Sequence, residues 1–434
     1  MDGEERKILR QSLSAWCVRN ANRLESMEKG SWDAASWERL YAELEELGVL
    51  HVLFDTPHDL TTVAEAANCL AAHSPSLALL VVQQNLAARL HGDAGADPPM
   101  GWVALPLYDS AAEWPQQVRV ATTPILRTFK ILSAREEGQL PSPAPTPARE
   151  RVRVRAVGWA EQTSESVPSP LPSPAGIAGE EVLPNAGATS VAGNTRDRGY
   201  RVDGCWGSLS GLPIASSVLL PLASDDSEFA LVRLDFTNLP AGVARGETAR
   251  SLGLRGCPIA DLTCTDAVFS GSAILACGAA AARSVAALWS QAEVLMLAIR
   301  AGILERSYSV ARDYAAERWQ GKKIIVEHSL VRRMLAELYG ARCSVEESWR
   351  GMSAAVVADE PLTAGQLSMS LHFAAALPRL AADGIQLLGG YGYMEELGQE
   401  RLFRDAKQCE MLLGHPQAKS FSIWQREPRC TAES

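Results

Sequence analysis

The sequence predicts an α+β protein in which a helical region, a strand-rich region and a second helical region follow one another along 434 residues. Near both ends, apolar residues recur every three or four positions. In the middle, short runs rich in valine and leucine occur, and several of them alternate at period two. This order differs from alternating β-α-β units, so a Rossmann domain is not expected. We predict domains at residues 1–95, 96–271 and 272–434.

The first region, residues 1–95, has the spacing of helices. In WERLYAELEELGVL, the residues Leu40, Leu44 and Leu47 lie on one helical face beside several glutamates. The segment LTTVAEAANCLAAHSPSLALLVVQQNLAARLHG predicts two more helices, separated by a break at Pro75. This region is therefore expected to form a helical domain.

The central region, residues 96–271, contains the predicted strands. The strand-like runs are GWVALPLYD, ERVRVRAVGW, SSVLLPLA, FALVRLDF and DLTCTDAVF. An insert at about 135–199 is rich in Pro, Ser and Ala, and nine of the 24 prolines lie between Pro141 and Pro184. Such a composition buries little apolar surface, so we expect a surface loop or a partly disordered segment there.

The third region, residues 272–434, returns to helical spacing. Val294, Leu297, Ala301 and Leu304 begin a continuous inward face of a long helix. The segments VRRMLAELYGARC, LSMSLHFAAALPRLAADGIQLLGG and QERLFRDAKQCEMLL supply further helices. Together they predict a bundle of about four helices.

Composition excludes several classes of protein. A net charge of −10 is opposite to the basic surface that nucleic-acid binding requires. The N terminus lacks the apolar core of a signal peptide, and the most apolar stretch, 272–304, is interrupted by Arg283, Glu293 and Arg300. The nine cysteines contain no C-x-x-C pair, and the seven histidines have no metal-ligand spacing. We expect a cytoplasmic protein with reduced cysteines, no metal and no membrane insertion.

The segment IQLLGGYGYMEELGQERLFRDAK, residues 385–407, resembles the hallmark of the acyl-CoA dehydrogenase family. The family's usual form is Q-I-L-G-G-x-G-[YF], a short loop and E-[RK]-x-x-R-D-A-[KR]. The segments RDYAAERWQGKKIIVEHSLVRRMLAEL, SLGLRGCPIADLTCTDAVF and SPSLALLVVQQNLAA are similar to other parts of the family in the same order. The resemblance implies an N-terminal helical domain, a central β-barrel-like domain and a C-terminal four-helix bundle, usually in a tetramer.

The resemblance also implies FAD, bound between the β-domain and the bundle and completed by a neighbouring subunit. Backbone N–H groups at glycines, which tolerate positive φ, can bind anionic oxygens. By the resemblance, the adenine and pyrophosphate end of a neighbour's FAD would contact Gln386, Gly389 and Gly390, with Arg318 pairing with the pyrophosphate. The full set of expected cofactor residues is Arg318, His328, Gln386, Gly389, Gly390 and Gly392. Alternatively, the glycines only make a tight turn and His328 only packs on a helix.

Other parts of the family's flavin site are not recognisable. The motif T-E-P-x-x-G-S-D, which touches the flavin ring, has no match, and the nearest strings are ATTPIL and AEQTSES. In DGCWGSLSG, Trp206 stands at the position of the expected lysine, and Ser210 is a candidate survivor. Gly321 and Ser329 replace the family's phenylalanine and glutamine. We read Arg404 and Asp405 as ion-pair residues between helices or subunits.

The family's catalytic base is also replaced. Dehydrogenation requires removal of an α-proton, for which a carboxylate with a raised pKa is the usual group. By the resemblance, the usual base position is Leu413 and the alternative position on the long helix is Ala292. Neither side chain accepts a proton. The weak substitutes are Glu293, Glu410 and His415.

Three functions remain open at this stage. The first is a non-catalytic subunit that completes the FAD site of an intact homologue, within a complex that oxidises an acyl-CoA thioester. The second is a self-sufficient acyl-CoA dehydrogenase with a displaced base, which passes electrons to an electron-transferring flavoprotein. The third is a base-free flavin enzyme such as an acyl-CoA desulfinase. Retained Arg318, Gly389 and Gly390, together with the lost base, favour the first function.

Overall fold

The structure is a computed structural model that describes residues 2–30, 32–107, 129–131, 200–223, 229–356, 362–414, 416, 419–420 and 423–424. All of these residues lie in one compact unit, made of Met1–Leu132 and Arg196–Ser434. The predicted strand ERVRVRAVGW and the Pro/Ser-rich insert lie outside the described residues.

Six helices form the N-terminal region: α1 Gly3–Arg19, α2 Ala21–Glu28, α3 Ala34–Glu46, α4 Val52–Asp55, α5 Leu60–Ala71 and α6 Pro75–Asp93. The break predicted at Pro75 separates α5 from α6, because Ser74 caps α6 by accepting from the Leu77 amide at 3.2 Å. Proline at the first helical position costs no hydrogen bond. Almost every residue of α5 and α6 is buried, so these two helices form the inner layer of the region.

The central region contains eight described strands: β1 Val103–Ala104, β2 Phe129–Ile131, β3 Tyr200–Ser210, β4 Ser217–Ala223, β5 Phe229–Asp235, β6 Val243–Arg245, β7 Ile259–Phe269 and β8 Ile274–Cys277. They form two four-stranded sheets with the orders β1-β4-β5-β8 and β2-β3-β7-β6. All described pairings are antiparallel except β1 with β4. Apolar residues of both sheets, including Trp206, Leu220 and Phe269, share one hydrophobic core.

The C-terminal region is a helical bundle of α7 Gly278–Glu317, α8 Ser329–Ala355, α9 Ala364–Leu388 and α10 Gln399–Cys409, with a short hairpin of β9 Trp319–Gln320 and β10 Lys323–Ile324. Helix α7 is central, because it packs against the other three bundle helices and against α5 and α6. At Gly302 a Cβ atom would lie 2.4 Å from the carbonyl oxygen of Asn68. The missing side chain therefore lets α5 approach α7 closely.

Helix α7 also has the length and apolar composition of a membrane span. Among the described residues it is the one helix that meets this criterion, and its most apolar window is fully buried inside the protein. The predicted inward face is present, since Val294, Leu297, Ala301 and Leu304 are all buried. The apolar residues of α7 are thus accounted for by the core of the fold.

Candidate functional site

The glycine loop begins where α9 ends at Leu388. Gly389 has a φ of 58° and ψ of −134°, a conformation that side-chain-bearing residues rarely adopt. At Gly392 a Cβ atom would lie 2.4 Å from the carbonyl oxygen of Ile385, so the loop folds tightly onto the last turn of α9. Gly389 and Gly390 are exposed, and nothing lies within 4 Å of a Cβ built on either. The loop therefore presents bare backbone to the outside.

Arg318 lies beside this loop. It follows the last residue of α7, and its guanidinium carbon lies 6.0 Å from the ring centroid of Tyr391. The backbone is fixed on both sides, since the Arg318 amide donates to Tyr314 at 2.9 Å and its carbonyl accepts from Ile325 at 2.8 Å. The Tyr314 and Tyr391 rings are 6.1 Å apart. The exposed guanidinium of Arg318 thus lies near the ring of Tyr391 in the glycine loop, and Tyr391 in turn lies beside Tyr314.

The surface around Arg318 is unusually aromatic. Tyr391, Tyr393 and Trp319 are 54%, 72% and 64% exposed, and Met394 is 51% exposed. Gln386 is also exposed, one helical turn before Gly389. We call this set, Arg318, Trp319, Gln386 and Gly389–Met394, the Gly389 surface. The sequence analysis missed the tyrosines as surface residues, although the string GGYGY contains them. Large exposed apolar side chains in one patch are typical of a binding surface.

His328 has a local structural role. Its Nε2 atom lies 3.1 Å from the carbonyl oxygen of Gln320, and a Cβ at Gly321 would lie 3.2 Å from its Cε1 atom. Gly321 has a φ of 66° in the turn between β9 and β10. The ring therefore fills the inside of this turn and is not directed to the Gly389 surface by these contacts.

Leu413, at the family's base position, is buried at 2% exposure in a turn after α10. Its φ is 62°, and its amide donates to the carbonyl oxygen of Leu107 at 2.6 Å. This hydrogen bond joins the turn that contains Leu413 to the residues that follow β1. Ala292, the alternative base position, is fully buried on α7. Both positions are thus enclosed in apolar packing.

The cavity beside Leu107 is very small. Its volume is about 20 Å³, and its lining is apolar: Leu90, Leu105, Pro106, Leu107, Leu219, Pro221, Leu231, Val285, Leu288 and Trp289. Such a volume holds about one water molecule, whereas ligand pockets commonly measure about 300–1,000 Å³. This cavity, as the described residues line it, is too small for a flavin ring.

Glu293 is held in a buried ion pair. Its Oε1 atom lies 2.8 Å from the Lys419 ammonium, and the Ser370 hydroxyl donates to Oε2. Burial alone would raise the pKa of Glu293, but the charges of Lys419 and Arg300 outweigh burial and lower it. A carboxylate with a lowered pKa that is already paired is a poor proton acceptor.

Glu410, the second substitute, is also a paired carboxylate. Glu410 pairs with Lys407 at 2.5 Å. Glu410 could replace the base only if it shared a helical face with Leu413. Helix α10 ends at Cys409, so the two residues do not share such a face. His415 lies outside the described residues, as do the strings ATTPIL and AEQTSES.

Three further sequence expectations change in the structure. Trp206 is buried in the core of the β-domain, and Ser210 is buried with a hydroxyl that has no partner. Arg404 and Asp405 do not pair with each other: Arg404 pairs with Glu400 at 2.7 Å on its own helix. Asp405 instead accepts from the Leu254 amide at 2.7 Å. Consecutive helical residues point about 100° apart, which explains why each finds its own partner.

Comparison with known proteins agrees with this geometry. Residues 290–419 match the model of the family "Acyl-CoA dehydrogenase, C-terminal domain". The chain is 26% identical to a 3-(aryl)acrylate reductase of Clostridium sporogenes, over 57% of this chain and 69% of the reductase. It is 30% identical to a cyclohexane-1-carbonyl-CoA dehydrogenase of Syntrophus aciditrophicus, over 28% of this chain and 32% of that protein. The second match thus spans about a third of the relative's length.

The fold is shared over nearly the whole chain. A glutaryl-CoA dehydrogenase from Mycobacterium smegmatis, solved in complex with FADH2, superposes with a TM-score of 0.69 at 13% identity, covering 98% of this chain and 94% of that one. The shared helix–sheet–helix architecture is the acyl-CoA dehydrogenase fold, and the predicted fold class is confirmed. The match to the family model covers residues 290–419, the C-terminal part of the chain.

Proposed function

We propose that this chain is a non-catalytic subunit that completes the FAD site of an intact homologous acyl-CoA dehydrogenase subunit. One contrast carries the proposal: the cavity beside Leu107 holds about one water molecule, whereas Arg318 and the glycine loop are exposed. A subunit that uses its own flavin requires an open cavity for the flavin ring. A subunit that completes a neighbour's site requires only an exposed Arg318 and glycine loop.

The Gly389 surface suits the nucleotide end of a cofactor held mainly by another chain. A guanidinium offers a planar fork of donors that matches phosphate oxygens, and Arg318 has no carboxylate partner among the described residues. The exposed backbone at Gly389 and Gly390 lets a cofactor approach without a Cβ in the way, and the tyrosines offer faces for a planar ring. When bound, FAD would supply hydride acceptance at the partner's reacting centre. This chain would supply binding and orientation.

The two alternative functions meet an obstacle in the same place. A displaced base requires a free carboxylate, and both Glu293 and Glu410 are paired. Base-free flavin chemistry requires room for the ring, and the described cavity beside Leu107 holds about one water. We therefore place substrate turnover, on an acyl-CoA thioester, in the partner subunit. We expect the complex in the cytoplasm.

The test compares the chain alone with the chain co-purified with a homologous subunit that retains the glutamate base. We expect no flavin absorbance from the lone chain and retained FAD with acyl-CoA-dependent bleaching in the complex. Arg318→Ala should weaken FAD retention by the complex about tenfold, which corresponds to the loss of one charge-assisted contact.

The matched control is Arg333→Ala, which removes an exposed arginine on α8 that pairs with Glu337 at 3.3 Å. This variant should retain FAD like the unmodified complex. Stoichiometric FAD on the lone chain, reduced by an acyl-CoA, would refute the proposal. Equal FAD retention by the Arg318 and Arg333 variants would refute the role of the Gly389 surface.

A further inference from the structure

A large groove lies apart from both sites described above. Its walls are formed by α2, α3, the segment before β7 and α10, and its volume is about 1,790 Å³. None of the residues of the Gly389 surface lines it, and neither Leu107 nor Leu413 does. The groove is therefore distinct from the two sites described above.

Two arginines line the groove close to each other. Arg306 of α7 and Arg401 of α10 line it together with His73, and the Arg401 Nη2 atom donates to the His73 carbonyl at 3.1 Å. Within the described part of the chain, the Arg401 Nε atom is buried without a hydrogen-bond partner. Among the described residues, neither arginine forms an ion pair with a carboxylate. Burial and the charge of Arg401 both lower the pKa of Arg306, as expected for neighbouring cations.

The nearby acidic residues are already engaged elsewhere. Glu25 pairs with Lys29 at 2.6 Å, and Glu400 pairs with Arg404 at 2.7 Å. Glu28 accepts from the Ser74 hydroxyl at 3.0 Å and from the Gly256 amide at 2.9 Å. The remaining glutamates of the groove are exposed. Among the described residues none of them lies within ion-pair distance of Arg306 or Arg401, so both guanidiniums keep donors for an anion.

Another wall of the groove is aromatic. The rings of Trp32 and Trp37 are 5.0 Å apart, and those of Tyr41 and Trp102 are 5.3 Å apart. All four residues line the groove. Indole faces stack on planar rings of a ligand, and Trp32 and Trp37 are both partly exposed. The groove thus combines cationic donors with planar apolar faces.

We propose that this groove binds an organic phosphate that carries a planar ring, with Arg306 and Arg401 holding the phosphate group and the tryptophan wall holding the ring. Two adjacent guanidiniums favour a phosphate over a carboxylate, because a doubly charged anion neutralises both of them. A volume well above that of an ordinary small-ligand pocket suits a ligand with two separate parts.

The test uses the lone full-length chain with ADP, pyrophosphate, inorganic phosphate and benzoate, followed by calorimetry and tryptophan fluorescence. ADP should quench the fluorescence and bind at least tenfold more tightly than inorganic phosphate or benzoate. Arg306→Gln should weaken ADP binding at least tenfold, and this change removes no hydrogen bond of the described fold. Arg333→Gln, at an exposed arginine of α8 that pairs with Glu337 and does not line the groove, should leave ADP binding unchanged.

Independence from the Gly389 surface is checked with Arg318→Ala, which should not change ADP binding by the lone chain. If that variant abolishes binding, ADP occupies the other surface and the groove proposal fails. Absence of ADP binding, or equal affinity in the Arg306 variant, would also overturn it. Because these measurements need no partner and no flavin, their failure leaves the proposed helper function to be judged by its own experiment.

Discussion

Asp405 gives the protein a specific dependence of stability on pH. The carboxyl group is fully buried, and its Oδ1 atom accepts from the Leu254 amide. Burial, and then the nearby charge of Glu28, raise its pKa from 3.8 to about 7. In the unfolded chain the group titrates near its ordinary value, so the folded state binds this proton more tightly.

The sign follows from proton linkage. Below the unfolded-state pKa the carboxyl group is protonated in both states, so it does not make the free energy of unfolding change with pH there. As the pH rises from about 4 to about 7, the unfolded state loses the proton first, so the free energy of unfolding decreases until the folded-state pKa is passed. From a folded pKa of about 7, the loss between about pH 5 and about pH 8 is roughly 2–3 kcal/mol.

Asp405→Asn isolates this effect. Asparagine keeps the oxygen that accepts from Leu254 but has no proton to exchange. Urea unfolding of both proteins at about pH 5 and about pH 8 should show a smaller loss of stability in the variant, by roughly 2–3 kcal/mol. Asp313→Asn, at an exposed aspartate, is the control and should behave like the unmodified chain. Parallel pH dependence in the Asp405 variant and the unmodified chain would refute the reasoning.

Three further predictions concern the two ends of the bundle. Gly392→Ala should cost about 1–3 kcal/mol in urea unfolding, because the new Cβ would lie 2.4 Å from the Ile385 carbonyl oxygen; an unchanged midpoint would contradict this. Lys419→Met should cost about 3–5 kcal/mol by leaving Glu293 buried without its counter-charge, and adding Glu293→Gln should recover part of the loss, as a double-mutant cycle would measure. Leu413→Glu should not confer acyl-CoA-dependent flavin reduction on the lone chain, since the adjacent cavity holds no ring; bleaching of FAD by this variant would show otherwise.

The sequence predicts best where a local pattern and tertiary burial agree. The spacing of Val294, Leu297 and Ala301 predicts the inward face of α7, because a helix buried on that face needs apolar residues at that period. The break at Pro75 and the end of α9 at Gly389 are likewise determined by residues next to them in the chain.

What the sequence could not predict depends on residues far apart in the chain. The loss of the base at Leu413 is readable from the resemblance, but the closing of the space depends on its bond to Leu107, some 300 residues earlier. Similarly, nothing near Glu293 indicates that Lys419 neutralises it. The end of α10 at Cys409 and the positive φ of Leu413 are set by such contacts, which override helical propensity in the segment CEMLL.

The length of α7 has an evolutionary consequence. Glu293 and Arg318 are carried by the same continuous helix, yet they lie about 38 Å apart along its axis at 1.5 Å per residue. The region near Glu293 and the region at Arg318 are thus far apart along one helix. Under the proposed helper function, substitutions that removed a base near Glu293 after a gene duplication would leave Arg318 and its contribution to a partner's FAD site in place.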